Sequence, residues 1–100
     1  MVPPLSDAEI EDRLASAGEW RRAGAQDGGQ PAIVRDLKFQ NFAAAIDFVN
    51  RVAELAEEAN HHPDILVHGW NKVRLALFTH SQGGLTDADF RLAARIEGLL

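Results

Sequence analysis

Two histidines stand side by side before a proline in the segment Asn60–Asp64, which reads NHHPD, and the last of the four histidines, His80, follows later in the chain. Histidine has an ordinary pKa close to neutral pH, so its ring gives and takes protons under physiological conditions. Two carboxylates could orient these rings, Glu57 four residues before His61 and Asp89 further along the chain. These residue types favour general acid and base catalysis without a covalent intermediate.

Other catalytic chemistries lack their residues in this sequence. The chain has no cysteine, which excludes thiolate zinc sites and cysteine nucleophiles. It also has no G-x-S-x-G elbow, no glycine-rich phosphate loop after a strand and no H-E-x-x-H motif. A site of three imidazoles that holds zinc is the competing interpretation of the histidines.

Each histidine also has a structural explanation. His61 lies four residues after Glu57, so the two would be neighbours at the end of a helix, where the dipole favours a protonated imidazole. His62 precedes a proline, which favours extended backbone, so its ring should point away from the helix surface. His80 ends a predicted strand on the face that carries Phe78, and such a histidine is more often structural than catalytic.

Asp89 combines a capping role with an unusual position. It is the third residue after Thr86, so its carboxylate can accept a hydrogen bond from the backbone of that N-cap. Helical periodicity also places it on the arc that should be buried, together with Leu92, Ala93 and Ile96. A buried carboxylate needs hydrogen-bond donors, and an imidazole would serve as one.

The elements that position these residues alternate between helices and hairpins. A capping box predicts a helix of about three turns over residues 6–18, and apolar periodicity predicts a long helix over residues 41–60. A second capping box predicts a closing helix that begins after Thr86. Residues 19–39 and 64–80 each predict a β-hairpin, because apolar segments there flank a turn.

This order, αββαββα, predicts one α+β domain over residues 1–100, with a four-stranded antiparallel sheet and the helices packed on one face. The apolar residues of the helix over residues 41–60 cover nearly half of its circumference. Packing on one sheet requires a stripe of only roughly 100°. We therefore expect the excess to face another subunit, in a homodimer or a homotetramer.

The composition argues against several partners. The formal net charge is −5 and the ten basic residues are scattered among acidic ones, so we do not expect nucleic acid to bind. No apolar run approaches the roughly 20 residues of a membrane span. The first residues also lack the basic start and the apolar stretch of a signal peptide. We expect a cytoplasmic protein without a membrane partner.

Several of these residues stand at gaps that are typical of one family. The string from Glu57 to Phe90, EEANHHPDILVHGWNKVRLALFTHSQGGLTDADF, closely resembles the signature of the pterin-4a-carbinolamine dehydratase family. The segment Gly18–Trp20, which reads GEW, is similar to the family segment whose tryptophan borders the active site. The likeness extends from about residue 14 to residue 96.

The resemblance implies a hydro-lyase that dehydrates 4a-hydroxytetrahydropterin to the quinonoid dihydropterin. This step regenerates pterin after an aromatic amino acid hydroxylase turns over. The chemistry requires proton transfers near neutral pH and no metal or cofactor. The alternative function is an oligomeric interaction module, because the family in animals also includes a dimerising cofactor of a transcription factor.

The resemblance also implies roles for individual residues. It gives His61, His62, His80 and Asp89 as the catalytic residues, and Glu57, Trp20 and Pro63 as the residues that bind the substrate. In this scheme His61 and His80 exchange protons with the substrate. His62 positions the substrate, and Asp89 supports an imidazole.

Overall fold

The structure is a computed structural model that describes residues 3–29 and 31–100. Its helices are α1 (Asp7–Leu14), α2 (Phe42–Ala59) and α3 (Asp87–Glu97), and its strands are β1 (Arg21–Arg22), β2 (Ile33–Lys38), β3 (Asp64–His68) and β4 (Lys72–Leu77). Short 3-10 helices lie at Ala25–Asp27 and His80–Gln82. The order αββαββα confirms the predicted α+β class.

The first helix is shorter than its sequence pattern predicts. Ser6 and Glu9 make the expected reciprocal capping box, with distances of 2.9 and 3.2 Å. The helix nevertheless ends at Leu14 after eight residues. Ser16 and Ala17 donate to carbonyls three residues back, and such bonds tighten the last turn and end the α-helical pattern. The prediction of about three turns up to Gly18 is therefore wrong at its end.

Two asparagines bound α2. The side chain of Asn41 accepts a hydrogen bond from the backbone N–H of Ala44 at 2.8 Å, which caps the N-terminus. Asn60 ends the helix in the left-handed region, with a φ of 49°, and asparagine tolerates this conformation better than most residues. The chain therefore leaves the helical path just before His61.

The four strands form one antiparallel sheet in the order β1-β2-β4-β3, which confirms the two predicted hairpins. Central strand β4 directs Val73, Leu75 and Leu77 into the core, and all three are fully buried. Residues of α2 and α3 complete this core, including Phe48, Val52, Leu92 and Ile96. The helices thus lie on one face of the sheet.

The opposite face of the sheet carries a network of ion pairs. Arg21 lies 2.8 Å from Asp27 and 3.0 Å from Asp36, and Arg74 lies 2.6 Å from Asp36. The Arg21 guanidinium, helped by a backbone N–H, lowers the pKa of Asp27 to about 2. This network holds the loop after β1 against the sheet, where Val34 is almost completely buried.

One surface of α2 is not covered within a single chain. Phe42 is 55% exposed, and three further apolar residues at helical spacing, Ile46, Val49 and Ala53, are partly or fully exposed. Association of copies through this stripe stays a prediction. No helix in residues 3–29 and 31–100 is long and apolar enough to cross a membrane.

Candidate active site

Asp89 and His61 form a buried polar contact between α3 and the end of α2. The side chain of Asp89 is fully buried, and that of His61 is 16% exposed. His61 Nε2 lies 2.6 Å from Asp89 Oδ1, the short distance typical of a charge-assisted hydrogen bond. The donor that a buried carboxylate requires at this position is therefore the His61 ring.

The second oxygen of Asp89 is also satisfied. Thr79 Oγ1 donates to Asp89 Oδ2 at 2.7 Å, and the backbone N–H of Thr86 donates to the same oxygen at 2.9 Å. Thr79 Oγ1 also lies 2.9 Å from Thr86 Oγ1. Because the single proton of Thr79 points to Asp89, the hydroxyl of Thr86 must donate to Thr79. Every donor in this network therefore points towards the carboxylate.

The tautomer of His61 follows from this network of hydrogen bonds. Asp89 acts only as an acceptor, so His61 Nε2 carries the proton of their contact. The neutral ring then has an unprotonated Nδ1, and no described residue bonds to it. A buried aspartate that fixes the tautomer of a histidine in this way prepares the other ring nitrogen for proton transfer.

Thr79→Val should destabilise the fold, because it removes one donor from a buried carboxylate. We expect the free energy of unfolding to fall by about 1–3 kcal/mol, because the carboxylate loses one of its hydrogen bonds and the hydroxyl of Thr86 loses its acceptor. Thr79→Ser keeps the hydroxyl and is the matched control, with a smaller loss. Urea unfolding followed by circular dichroism measures both. Equal stability of the Val variant and the wild type would contradict the network.

Glu57 pairs with His62 and not with His61. His62 Nε2 lies 2.7 Å from Glu57 Oε2, and the two side chains are 60% and 77% exposed. The predicted neighbour pair of Glu57 and His61 is wrong, because the left-handed Asn60 turns His61 inwards towards α3. An exposed pair contributes little to stability, so His62 can contact a ligand at little cost. Pro63 follows, half-buried, and leads into β3.

His80 lies on a 3-10 helix after β4 and not in the strand. The strand ends at Leu77, and Thr79 instead forms an isolated bridge with Gly84. The prediction that the strand reaches His80 is therefore wrong. This bridge closes a short loop, and the His80 ring packs edge-on against Phe78 with centroids 4.4 Å apart.

Thr79 links the two ends of the candidate site. It donates to Asp89, which also accepts from His61, and it directly precedes His80 in the chain. One carboxylate therefore fixes the His61 ring and anchors the segment that carries His80. Among residues 3–29 and 31–100, no three His, Cys, Asp or Glu side chains are grouped so that they could hold a metal ion.

Trp20 lies apart from His61 within the single chain. It borders a cavity of about 700 Å³ between α1 and α3, and its ring is 4% exposed. No described residue accepts a hydrogen bond from its indole Nε1. His61 borders a different cavity of about 260 Å³, lined also by Ala59, Ala88, Arg91, Leu92 and Arg95. The two cavities share Arg91.

Sequence reasoning missed two residues at this site. Thr79 had a usable signal, because strand alternation places its hydroxyl on the buried face and a buried hydroxyl needs a partner. Arg91 had none, since nothing distinguishes it in the sequence from the other basic residues.

Comparison with known proteins gives the family. The model of the family described as pterin 4 alpha carbinolamine dehydratase matches residues 3–99. The chain belongs to this family. A relative from Acidobacterium capsulatum, provisionally named a pterin-4-alpha-carbinolamine dehydratase, is 51% identical over 96 residues, which are 96% of this chain and 97% of that protein. A relative from Chloroflexus aurantiacus with the same provisional name is 48% identical and covers 99% of both chains.

Solved structures of the pterin dehydratase fold resemble this chain, in agreement with the family. A crystal structure of a transcriptional coactivator/pterin dehydratase from Brucella melitensis superposes with a TM-score of 0.86 at 30% identity, over 96% of this chain and 97% of that one. A pterin dehydratase-like protein described as a RuBisCO assembly factor in the α-carboxysome gives a TM-score of 0.63 at 27% identity, over 80% of this chain and 87% of that one. The family resemblance in the sequence is confirmed.

Proposed function

We propose that this protein is a hydro-lyase that converts 4a-hydroxytetrahydropterin into quinonoid dihydropterin and water. The proposal rests on the contact between His61 and the buried Asp89. Asp89 holds the His61 ring through Nε2, and Nδ1 has no partner among the described residues. Family membership supports the pterin as substrate. The reaction would return pterin to an aromatic amino acid hydroxylase.

The proposed reaction needs two proton transfers. The bond between C4a and its hydroxyl oxygen breaks while a proton reaches the leaving oxygen, and the ring nitrogen beside C4a loses a proton as the C=N bond forms. A positioned imidazole contributes roughly 10²–10⁴-fold to such a transfer. His61 and His80 are the two proposed proton carriers. His62, exposed beside Glu57, positions the substrate at the surface.

An interaction module is the second candidate function. Three apolar residues of β3 and the turn after it are well exposed: Ile65 is 36% exposed, Leu66 51% and Trp70 63%. They lie along the edge of the sheet and in the turn beside it, and exposed apolar residues at a sheet edge are typical of a surface that contacts another protein. The names of the two structural relatives, a coactivator and an assembly factor, fit such a role. A function in protein contacts alone does not account for the buried Asp89 and its hydrogen-bond donors.

The test of the proposed function is the dehydration rate itself. Carbinolamine generated by an aromatic amino acid hydroxylase should be consumed faster in proportion to added protein, after correction for spontaneous dehydration. EDTA should leave the rate unchanged, because proton transfer by imidazoles needs no metal. A rate equal to the spontaneous background would exclude the function. Loss of activity with EDTA that zinc restores would favour a metal-dependent mechanism.

A further inference from the structure

Arg91 stands out from the other arginines near the candidate site by its lack of an acidic partner. Arg13 lies 2.6 Å from Asp87, and Arg95 lies 3.0 Å from Glu58. Neither a salt bridge nor a side-chain hydrogen bond joins Arg91 to any residue within 3–29 or 31–100. Its positive charge is therefore uncompensated there.

Arg91 is placed to reach a ligand bound at His61. The two residues border the same cavity of about 260 Å³. Arg91 also borders a neighbouring cavity of about 270 Å³ that Thr79 and Thr86, the residues that support Asp89, help to line. Among the described residues, Arg91 alone borders both of these cavities and the one at Trp20.

The charge balance around these cavities favours an anion beside Arg91. The chain as a whole carries a formal charge of −5, which repels anionic ligands on average. Of the carboxylates that border these cavities, however, Asp87 is engaged by Arg13 and Glu97 by Arg35, and Asp12 borders only the cavity at Trp20. A free guanidinium in this setting presents several N–H donors in the planar arrangement that matches a carboxylate or a phosphate.

We propose that Arg91 binds an anionic group on the side chain of the pterin, so that the site prefers pterins with a carboxylate or phosphate substituent. This inference rests on the proposed function, because it requires the pterin ring to lie at His61. It adds a determinant of specificity. Arg91 would bind the substituent and would take no part in the proton transfers.

Binding of two unreactive fluorescent pterins tests the inference. 6-Carboxypterin and 6-hydroxymethylpterin share the ring and differ in the charge of the substituent. By fluorescence titration the wild type should bind the carboxylate about 10-fold more tightly, a modest contribution for a charge-assisted hydrogen bond. Arg91→Gln should abolish this preference, and Arg91→Lys should keep part of it. Arg22→Gln, which removes the same charge on β1 beside Asp7, should leave the preference unchanged.

The outcomes separate this inference from the proposed function. Equal binding of both pterins by a wild type that dehydrates the carbinolamine would overturn the inference and leave the function standing. The inference would also be overturned if Arg91→Gln kept the preference for 6-carboxypterin over 6-hydroxymethylpterin. This conclusion would hold even if the substitution changed the oligomeric state. A wild type that binds neither pterin and does not dehydrate the carbinolamine would overturn both.

Discussion

His61→Ala and His80→Ala should each lower kcat for carbinolamine dehydration by on the order of 10²-fold, the lower end of what a positioned acid or base contributes. The first variant lacks the ring that Asp89 holds through Nε2 and whose Nδ1 has no partner among the described residues. The second variant lacks the other proposed proton carrier, which lies on the loop that Thr79 anchors. Steady-state rates, corrected for spontaneous dehydration, measure both effects.

His62→Ala is the matched comparison for these two variants. Its ring is 60% exposed and pairs with Glu57, so its loss should raise KM with little change in kcat, the sign of binding shared by ground and transition states. Circular dichroism should first show that all three variants are folded. If folded His61→Ala and His80→Ala retain the wild-type kcat, the proposed mechanism is wrong even though the family membership stands.

Asp89→Asn should lower kcat by roughly 10-fold, less than the loss of a whole acid or base, because it reverses the hydrogen bond that sets the tautomer of His61 but keeps the ring. Thr79 and the backbone of Thr86 both donate to one oxygen of Asp89, so the amide oxygen of asparagine would take that place. The amide NH₂ would then face His61 Nε2 and donate to it. The neutral ring would then favour the tautomer with the proton on Nδ1, which lowers the fraction of His61 rings that can accept a proton there.

Asp47→Asn is a suitable control for this substitution. Asp47 lies on α2, is 64% exposed and pairs with Arg51 at the surface, so its change should leave kcat unaffected. A wild-type kcat in folded Asp89→Asn would show that the carboxylate does not orient the ring.

The fold could be predicted from the sequence because its signals are local. Capping pairs such as Thr86 with Asp89 begin helices at fixed spacings, and strict alternation in Val73, Leu75 and Leu77 marks a strand with one buried face. These patterns depend on neighbours a few residues apart. They therefore determine the order of elements without knowledge of the tertiary contacts.

The contacts of the candidate site could be predicted only in part. Helical periodicity placed Asp89 in the interior, which predicted that it needs a donor, but the identity of that donor depends on the path of the chain after α2. The left-handed Asn60 decides that path, so that His61 contacts Asp89 and Glu57 pairs with His62 in place of His61. A single backbone dihedral angle of this kind leaves little trace in apolar periodicity.

The position of Trp20 also could not be predicted from the local sequence pattern. Its placement depends on how α1 packs near α3, and helix periodicity does not specify this packing. The early end of α1 at Leu14 has a similar origin, because turn hydrogen bonds beyond that residue compete with continued helix. Local patterns thus predict elements well and predict the contacts between distant elements poorly.

A double-mutant cycle on His61 and Asp89 tests the central claim most directly, namely that the hydrogen bond between the two side chains acts on the reaction through the His61 ring. Asn in place of Asp89 keeps the oxygen that accepts from Thr79 and Thr86, so the anchor of the His80 segment is retained. The measurement is kcat for His61→Ala, Asp89→Asn and the double variant, each corrected for spontaneous dehydration and checked for folding. If the pair works as one unit, the double variant should be no slower than His61→Ala alone, at on the order of 10²-fold below wild type. Independent roles would instead multiply the two effects to on the order of 10³-fold, and that result would contradict the account.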